Sequence, residues 1–212
     1  MPLFYQHNIN QNTKLGVWHI EEPESFFLKR VPLKRDVSHP HKRLQHLAGR
    51  YLLPVLFDDF PLEEIVIADT RRPFLEKERY HFSISHCGDY AAAIVSSKNR
   101  VGVDIEIVSP RIRDVEHKFL SAPERALVFG DDHLTTSRDR LLTMLWSAKE
   151  SLYKWYGLGQ IDFRDHMLWT GPEQTGPDGM LFFPFEFLKA EKVPLLVNAT
   201  GFDDLVLAWV VS

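Results

Sequence analysis

The clearest alternation of apolar and polar positions in the chain lies at residues 101–108, VGVDIEIV. Val101, Val103, Ile105 and Ile107 recur at period two and share one face of a strand, while Asp104 and Glu106 sit together on the other. Further β-like runs fall at 16–20, 65–68, 81–85 and 91–96, separated by Pro, Gly and Asn signals. The turn HCGDY predicts a hairpin between the runs at 81–85 and 91–96, and SSKNR predicts a second between 91–96 and 101–108. Helical spacing of Leu44, Leu47 and Leu52 predicts a helix over 42–53 with Pro54 as its stop, followed by helices over 123–129 and 136–156, the last ended by Gly157. The final third returns to strands in MLFF, VPLLVNA and LVLAWVVS. The pattern is that of an α+β chain with mostly antiparallel strands and no repeat of fixed period.

The long helix carries an irregularity. Leu141, Leu142, Leu145, Ala148 and Leu152 form its apolar stripe, and Lys149 interrupts that stripe. A lysine there is costly unless its ammonium reaches water or meets an anion. Glu150 and Lys154 stand at i and i+4 on an adjoining face, the spacing of a surface ion pair worth about 0.3–0.5 kcal/mol. Joined to Asp104 and Glu106, however, Glu150 makes a third carboxylate that a fold could bring to one point. Three carboxylates repel unless a cation or a shared proton neutralises them. Mg²⁺ prefers oxygen ligands and is completed by water and substrate phosphates, so Lys149 and Lys154 beside the acids read as phosphate contacts. The chemistry implied is of phosphoryl or pyrophosphate type.

Composition narrows the partners. A formal net charge of −4 disfavours a nucleic-acid backbone as the main ligand but allows local basic patches for a small phosphorylated molecule. A single cysteine, Cys87, excludes an intramolecular disulfide framework, and neither a signal core nor a membrane-spanning run is present, so a soluble cytoplasmic protein is expected. In RYHFSISHCGDY, Ser85 and His86 enter a turn where both can donate to phosphate; ordinary turn residues would read the same. Ser121, Pro123 and Glu124 have the spacing of a capping box. Arg71 and Arg72 precede Pro73 in a loop suited to anion capture or simply to solvent.

The motifs RRPF (71–74), HFSISHCG (81–88), GVDIE (102–106) and WSAKESLYKWYG (146–157) together resemble the phosphopantetheinyl transferases. The length resembles the larger type, in which one monomeric chain holds two similar α+β halves with pseudo-twofold symmetry, a long helix packed on each. That resemblance implies halves at 1–100 and 101–212, with the active site between them. It further implies transfer of the 4'-phosphopantetheine arm of coenzyme A to a serine of an apo acyl, polyketide or peptidyl carrier protein, releasing adenosine 3',5'-bisphosphate. Carried over by position, Asp104, Glu106 and Glu150 look like Mg²⁺ ligands, and Lys149 and Lys154 like phosphate contacts. Arg43, Arg72, Ser85 and His86 look like coenzyme A contacts. Glu124 corresponds to an acid near the incoming serine, so Glu124, Glu150 or a metal-ordered water is the expected base. Lys29, Arg30, Lys34 and Arg35 are candidates for further coenzyme A contacts, although the family's N-terminal basic residues do not align cleanly. Cys87 stands where a small hydroxyl residue is common. Residues 110–120, with Ile112, Val115 and Phe119 among basic side chains, suit docking of an acidic, helical carrier. A metal-dependent phosphoester hydrolase, or an inactive binding module for coenzyme A or carrier protein, would use the same residues.

Overall fold

The computed structural model describes residues 3–33, 37–130, 137–176 and 178–212. The chain divides into two compact units, Met1–Ile105 and Glu106–Ser212, each an antiparallel sheet carrying one long helix.

The first unit opens with β1 (Leu3–Asn10) and β2 (Thr13–His19), then α1 (Glu24–Leu28) and α2 (Pro40–Leu56). A single 3₁₀ turn leads to the short hairpin β3 (Ile65–Ile67) and β4 (Pro73–Leu75), and β5 (His81–Cys87) and β6 (Tyr90–Ser96) follow. The sheet order is β1-β2-β6-β5. HCGDY turns as expected, with Gly88 at a φ of 53° in the two-residue loop between Cys87 and Tyr90. SSKNR does not make a hairpin: β6 already has β2 and β5 on its two edges, and β7 (Val101–Ile107) belongs to the second sheet.

Helix α2 also departs from expectation at its end. It begins with Pro40 at the first position, His39 accepting from the Lys42 N–H, and it runs through Pro54 to Leu56. Pro54 removes one N–H, but the Phe57 N–H still bonds to the Leu53 carbonyl, so the helix ends three residues later than its proline suggested. Its buried face packs Leu47, Tyr51, Leu52 and Leu56 over the alanine-rich β6, with Phe27 and Trp18 closing the core. Gly49 is a requirement of this packing, because a Cβ there would lie 2.5 Å from Cγ2 of Ile84 on β5.

The second unit continues from the end of β7 through α3 (Ile112–Phe119), α4 (Ala122–Gly130) and α5 (Arg138–Tyr156). Strands β8 (Met167–Trp169), β9 (Gln174–Thr175), β10 (Leu181–Phe187), β11 (Val193–Phe202) and β12 (Leu205–Val211) complete it. The sheet order is β7-β12-β11-β10-β8, with β9 paired to β10. Ser137 caps α5 by accepting from the Arg140 N–H, and Gly157 ends it in the left-handed conformation; Thr136, the expected first residue, lies outside the described residues. Leu141, Leu145, Ala148 and Leu152 pack on Val206, Ala208 and Val210 of β12.

Gly49→Ala is expected to destabilise the protein by about 1–2 kcal/mol, because overpacking against a β-branched neighbour outweighs alanine's helix preference of about 1 kcal/mol. Urea unfolding measures it, and Ile84→Val in the same chain should recover part of the loss.

Candidate active site

Strand β7 is buried on both faces from Val101 to Ile105. Asp104 is 3% exposed, so it is not a solvent-facing charge. It is held by β5, whose two serines face β7: Ser85 Oγ donates to Asp104 Oδ1 at 2.7 Å, and Ser83 Oγ accepts from the Val103 N–H at 3.2 Å. Both serines are themselves buried. Ser85 therefore supports a carboxylate, and β5's period of two sends the residues on either side of it, Ile84 and His86, elsewhere.

They line a cavity of about 270 Å³ in the first unit, together with His46, Arg50, Ile65 and Arg71. His46 and Arg50 are i and i+4 on α2, with Arg50 Nη1 3.0 Å from His46 Nδ1. Arg71 stands at a φ of 65° in the β3–β4 turn, where its N–H bonds to the Ala68 carbonyl. Arginines from a helix and a turn thus converge with a strand histidine on one concave, partly apolar surface, the character of an anion-binding pocket. Arg72 is half-buried beside the same turn; burial and the neighbouring Arg100 push its pKa below the usual arginine range. Burial likewise lowers the pKa of His81, against Glu78 and together with Arg100 and Arg72. Arg43 is committed elsewhere, its Nε and Nη2 on Glu24 Oε2 at 2.9 and 2.8 Å and its Nη1 on the Val37 carbonyl. Lys34 and Arg35 lie outside the described residues.

In the second unit, Glu106 at the end of β7 is half-buried and Oε1 accepts from the Trp146 indole N–H at 3.3 Å. Trp146 is four residues before Glu150 on α5, so one helix face carries both. Glu150 and Lys154, one turn further on, are half-buried. Asp104, Glu106 and Glu150 offer only hard oxygen donors, which fits Mg²⁺ and not a softer metal. Among the described residues no three of His, Cys, Asp and Glu are gathered to hold a metal ion.

Lys149 and Glu124, expected as a phosphate contact and a candidate base, are bonded to one another. Lys149 has no exposure to solvent. Nζ lies 2.7 and 2.9 Å from the two Glu124 oxygens, and donates to the Phe119 and Phe163 carbonyls at 2.7 and 2.9 Å. All three of its protons are used, leaving none for a phosphate. Glu124, 1% exposed, accepts also from the Trp169 N–H at Oε1 and the Ser121 N–H at Oε2, at 2.8 and 2.6 Å. Its four lone-pair sites are filled, so it has no place for a serine hydroxyl. The bond to Ser121 is half of the capping box read from the sequence. Burial pushes the Lys149 pKa down to about 8, against the pull of Glu124 and Asp162. Glu124→Gln leaves a buried ammonium without its counter-charge and is expected to cost about 3–5 kcal/mol of stability. The double variant Lys149→Met/Glu124→Gln should recover most of that in urea unfolding, since neither charge remains.

Residues 100–192 match the family model described as the 4'-phosphopantetheinyl transferase superfamily. The 4'-phosphopantetheinyl transferase AcpT of Escherichia coli strain K12 is 30% identical over 131 residues, 59% of this chain and 64% of that protein. A Haemophilus influenzae protein provisionally named a 4'-phosphopantetheinyl transferase is 30% identical over 165 residues, 70% of this chain and 66% of its own length. Enterobactin synthase component D of Escherichia coli strain K12 is 32% identical over 116 residues, covering 53% of this chain and 54% of that protein. The chain thus spans less than two thirds of the AcpT length. On the family model and these relatives, the chain belongs to the 4'-phosphopantetheinyl transferase superfamily.

Proposed function

We propose that the protein transfers the 4'-phosphopantetheine arm of coenzyme A to a serine of an apo acyl or peptidyl carrier protein, as a cytoplasmic monomer of the larger, pseudo-dimeric type. The observation that carries this reading is the alternation along β5. Ser85 holds the buried Asp104 while Ile84 and His86 on either side of it line the basic cavity, so the strand joins an anion pocket to a carboxylate suited to a metal. Arg50, Arg71 and His86 take the phosphates at the nucleotide end of coenzyme A, with Arg72 close by; Asp104, Glu106 and Glu150 hold Mg²⁺. When bound, the metal supplies neutralisation of the pyrophosphate and orientation of the transferring phosphorus.

The serine oxygen forms a bond to the pantetheine-side phosphorus, and the bond from that phosphorus to the bridging oxygen breaks, releasing adenosine 3',5'-bisphosphate in an in-line displacement. Lys154 stabilises the departing phosphate. With Glu124 filled, the serine proton passes to Glu150 or to a water that Glu150 orders. The carrier docks on α3, where a cleft of about 310 Å³ is lined by Ile107, Ile112, Val115 and Trp146 with Arg111 at its edge; Arg111 and Lys118 are exposed to meet an acidic helix.

Intact mass of an apo acyl carrier protein incubated with this protein, coenzyme A and Mg²⁺ should rise by one phosphopantetheine group, and the gain should vanish with EDTA. No gain with either an acyl or a peptidyl carrier would overturn the proposal, and release of phosphate from coenzyme A without a carrier would identify a hydrolase instead. Asp104→Ala and Glu150→Ala should each lower kcat/KM at least about a hundredfold, roughly 3 kcal/mol of transition-state stabilisation. Full activity in either variant sinks the metal assignment. Arg50→Ala should raise KM for coenzyme A about tenfold with kcat close to wild type, the loss of one charge-assisted contact made equally in ground and transition states.

A further inference from the structure

Lys149 is the only lysine in the buried polar set of the described residues, and its surroundings have a second pattern. The two backbone carbonyls it holds belong to Phe119 and Phe163. The rings of those same two residues flank the Trp146 indole, Phe119 edge-on at a centroid distance of 5.3 Å and Phe163 tilted at 5.7 Å. The indole so held donates to Glu106. Phe119 ends α3, and Phe163 lies in the connection after α5, so neither position is set by the hydrogen bonding of α5 itself.

We propose that Lys149 is a positioning residue: by fixing the backbone at Phe119 and Phe163, its ammonium seats the two rings that orient Trp146, and through the indole N–H it sets the Glu106 carboxylate. The relay has three steps, from Lys149 to the two carbonyls, from the two rings to the indole and from the indole to Glu106, and each is a direct hydrogen bond or ring contact. Only its last consequence, an effect on Mg²⁺, rests on the proposed function. Groups that support a metal ligand commonly carry a tenfold to hundredfold share of metal affinity, because they restrict the ligand to its binding orientation.

The test uses the full chain with ¹⁵N-labelled tryptophan. The Trp146 indole N–H resonance is assigned by its loss in Trp146→Phe. In Lys149→Met/Glu124→Gln, confirmed as folded by a cooperative unfolding transition, that resonance should shift and its exchange with solvent rise roughly tenfold or more, as local opening becomes easier. Phe163→Leu, which keeps the carbonyl and removes the ring, should move the same resonance, and serves also if the paired variant does not fold. Calorimetric titration of Mg²⁺ into protein with coenzyme A should show half-saturation raised about tenfold by Trp146→Phe and by the paired variant. The triple variant should show no further rise, since the changes lie on one path. An unmoved indole resonance in Phe163→Leu or in the folded paired variant overturns the relay, as do Mg²⁺ effects that multiply in the triple variant. Should wild type take up no Mg²⁺ with coenzyme A, the proposed function fails on its own, and the indole resonance alone decides the relay.

Discussion

An ammonium ion shut off from water costs several kcal/mol unless every proton finds an acceptor, and the second unit is arranged around one that does. Lys149 interrupts the apolar stripe of α5, and the chain answers with a carboxylate and two carbonyls drawn from three separate segments. Glu124 then passes the constraint on to Ser121 and to Trp169 at the end of β8. The end of α3, the start of α4, the connection after α5 and β8 are thereby tied to one point on the long helix. The tie engages both polar groups fully, leaving the lysine no spare proton and the carboxylate no spare lone pair.

The first unit solves a different problem with the period of a strand. Five buried residues of β7 in succession leave no room for an unsupported charge, and the hydroxyl that supports Asp104 comes from the polar face of β5. The opposite face of β5 is thereby freed to wall the cavity, and Gly49 lets α2 approach Ile84 closely enough for His46 and Arg50 to reach the same space. One strand therefore serves a buried carboxylate on one side and a cationic pocket on the other.

Patterns local in sequence were the legible ones. The alternation at 101–108 marked both the strand and its acids, and the capping spacing at Ser121–Glu124 formed as read. That the Lys149 ammonium must reach water or meet an anion followed from its stripe, but which of the two did not, since Glu124 is twenty-five residues away. Pro54 misled because a proline near a helix end removes only one bond. β1 escaped notice because an edge strand with every second residue exposed needs little apolar character. The failed hairpin at SSKNR shows the limit most plainly: a turn signal says that the chain reverses, and not whether the preceding strand has an edge left to offer. His46 and Arg50 carried a faint signal, two basic groups one helical turn apart, which only the neighbouring turn and strand made into a pocket.

Strand partners lie at very different distances along the chain. β10, β11 and β12 are consecutive antiparallel neighbours, and Phe202 meets Leu205 across a tight turn. In the first unit β2 must wait for β6: Thr13 pairs with Ser96, their hydroxyls 2.9 Å apart across eighty-three residues. Closing that loop costs roughly 3 kcal/mol more chain entropy than closing the β11–β12 turn. On a ribosome, the β1–β2 ribbon emerges before β6 and cannot find its sheet until the eighty-three residues between Thr13 and Ser96 have been made, and its apolar face is the surface left exposed in the interval.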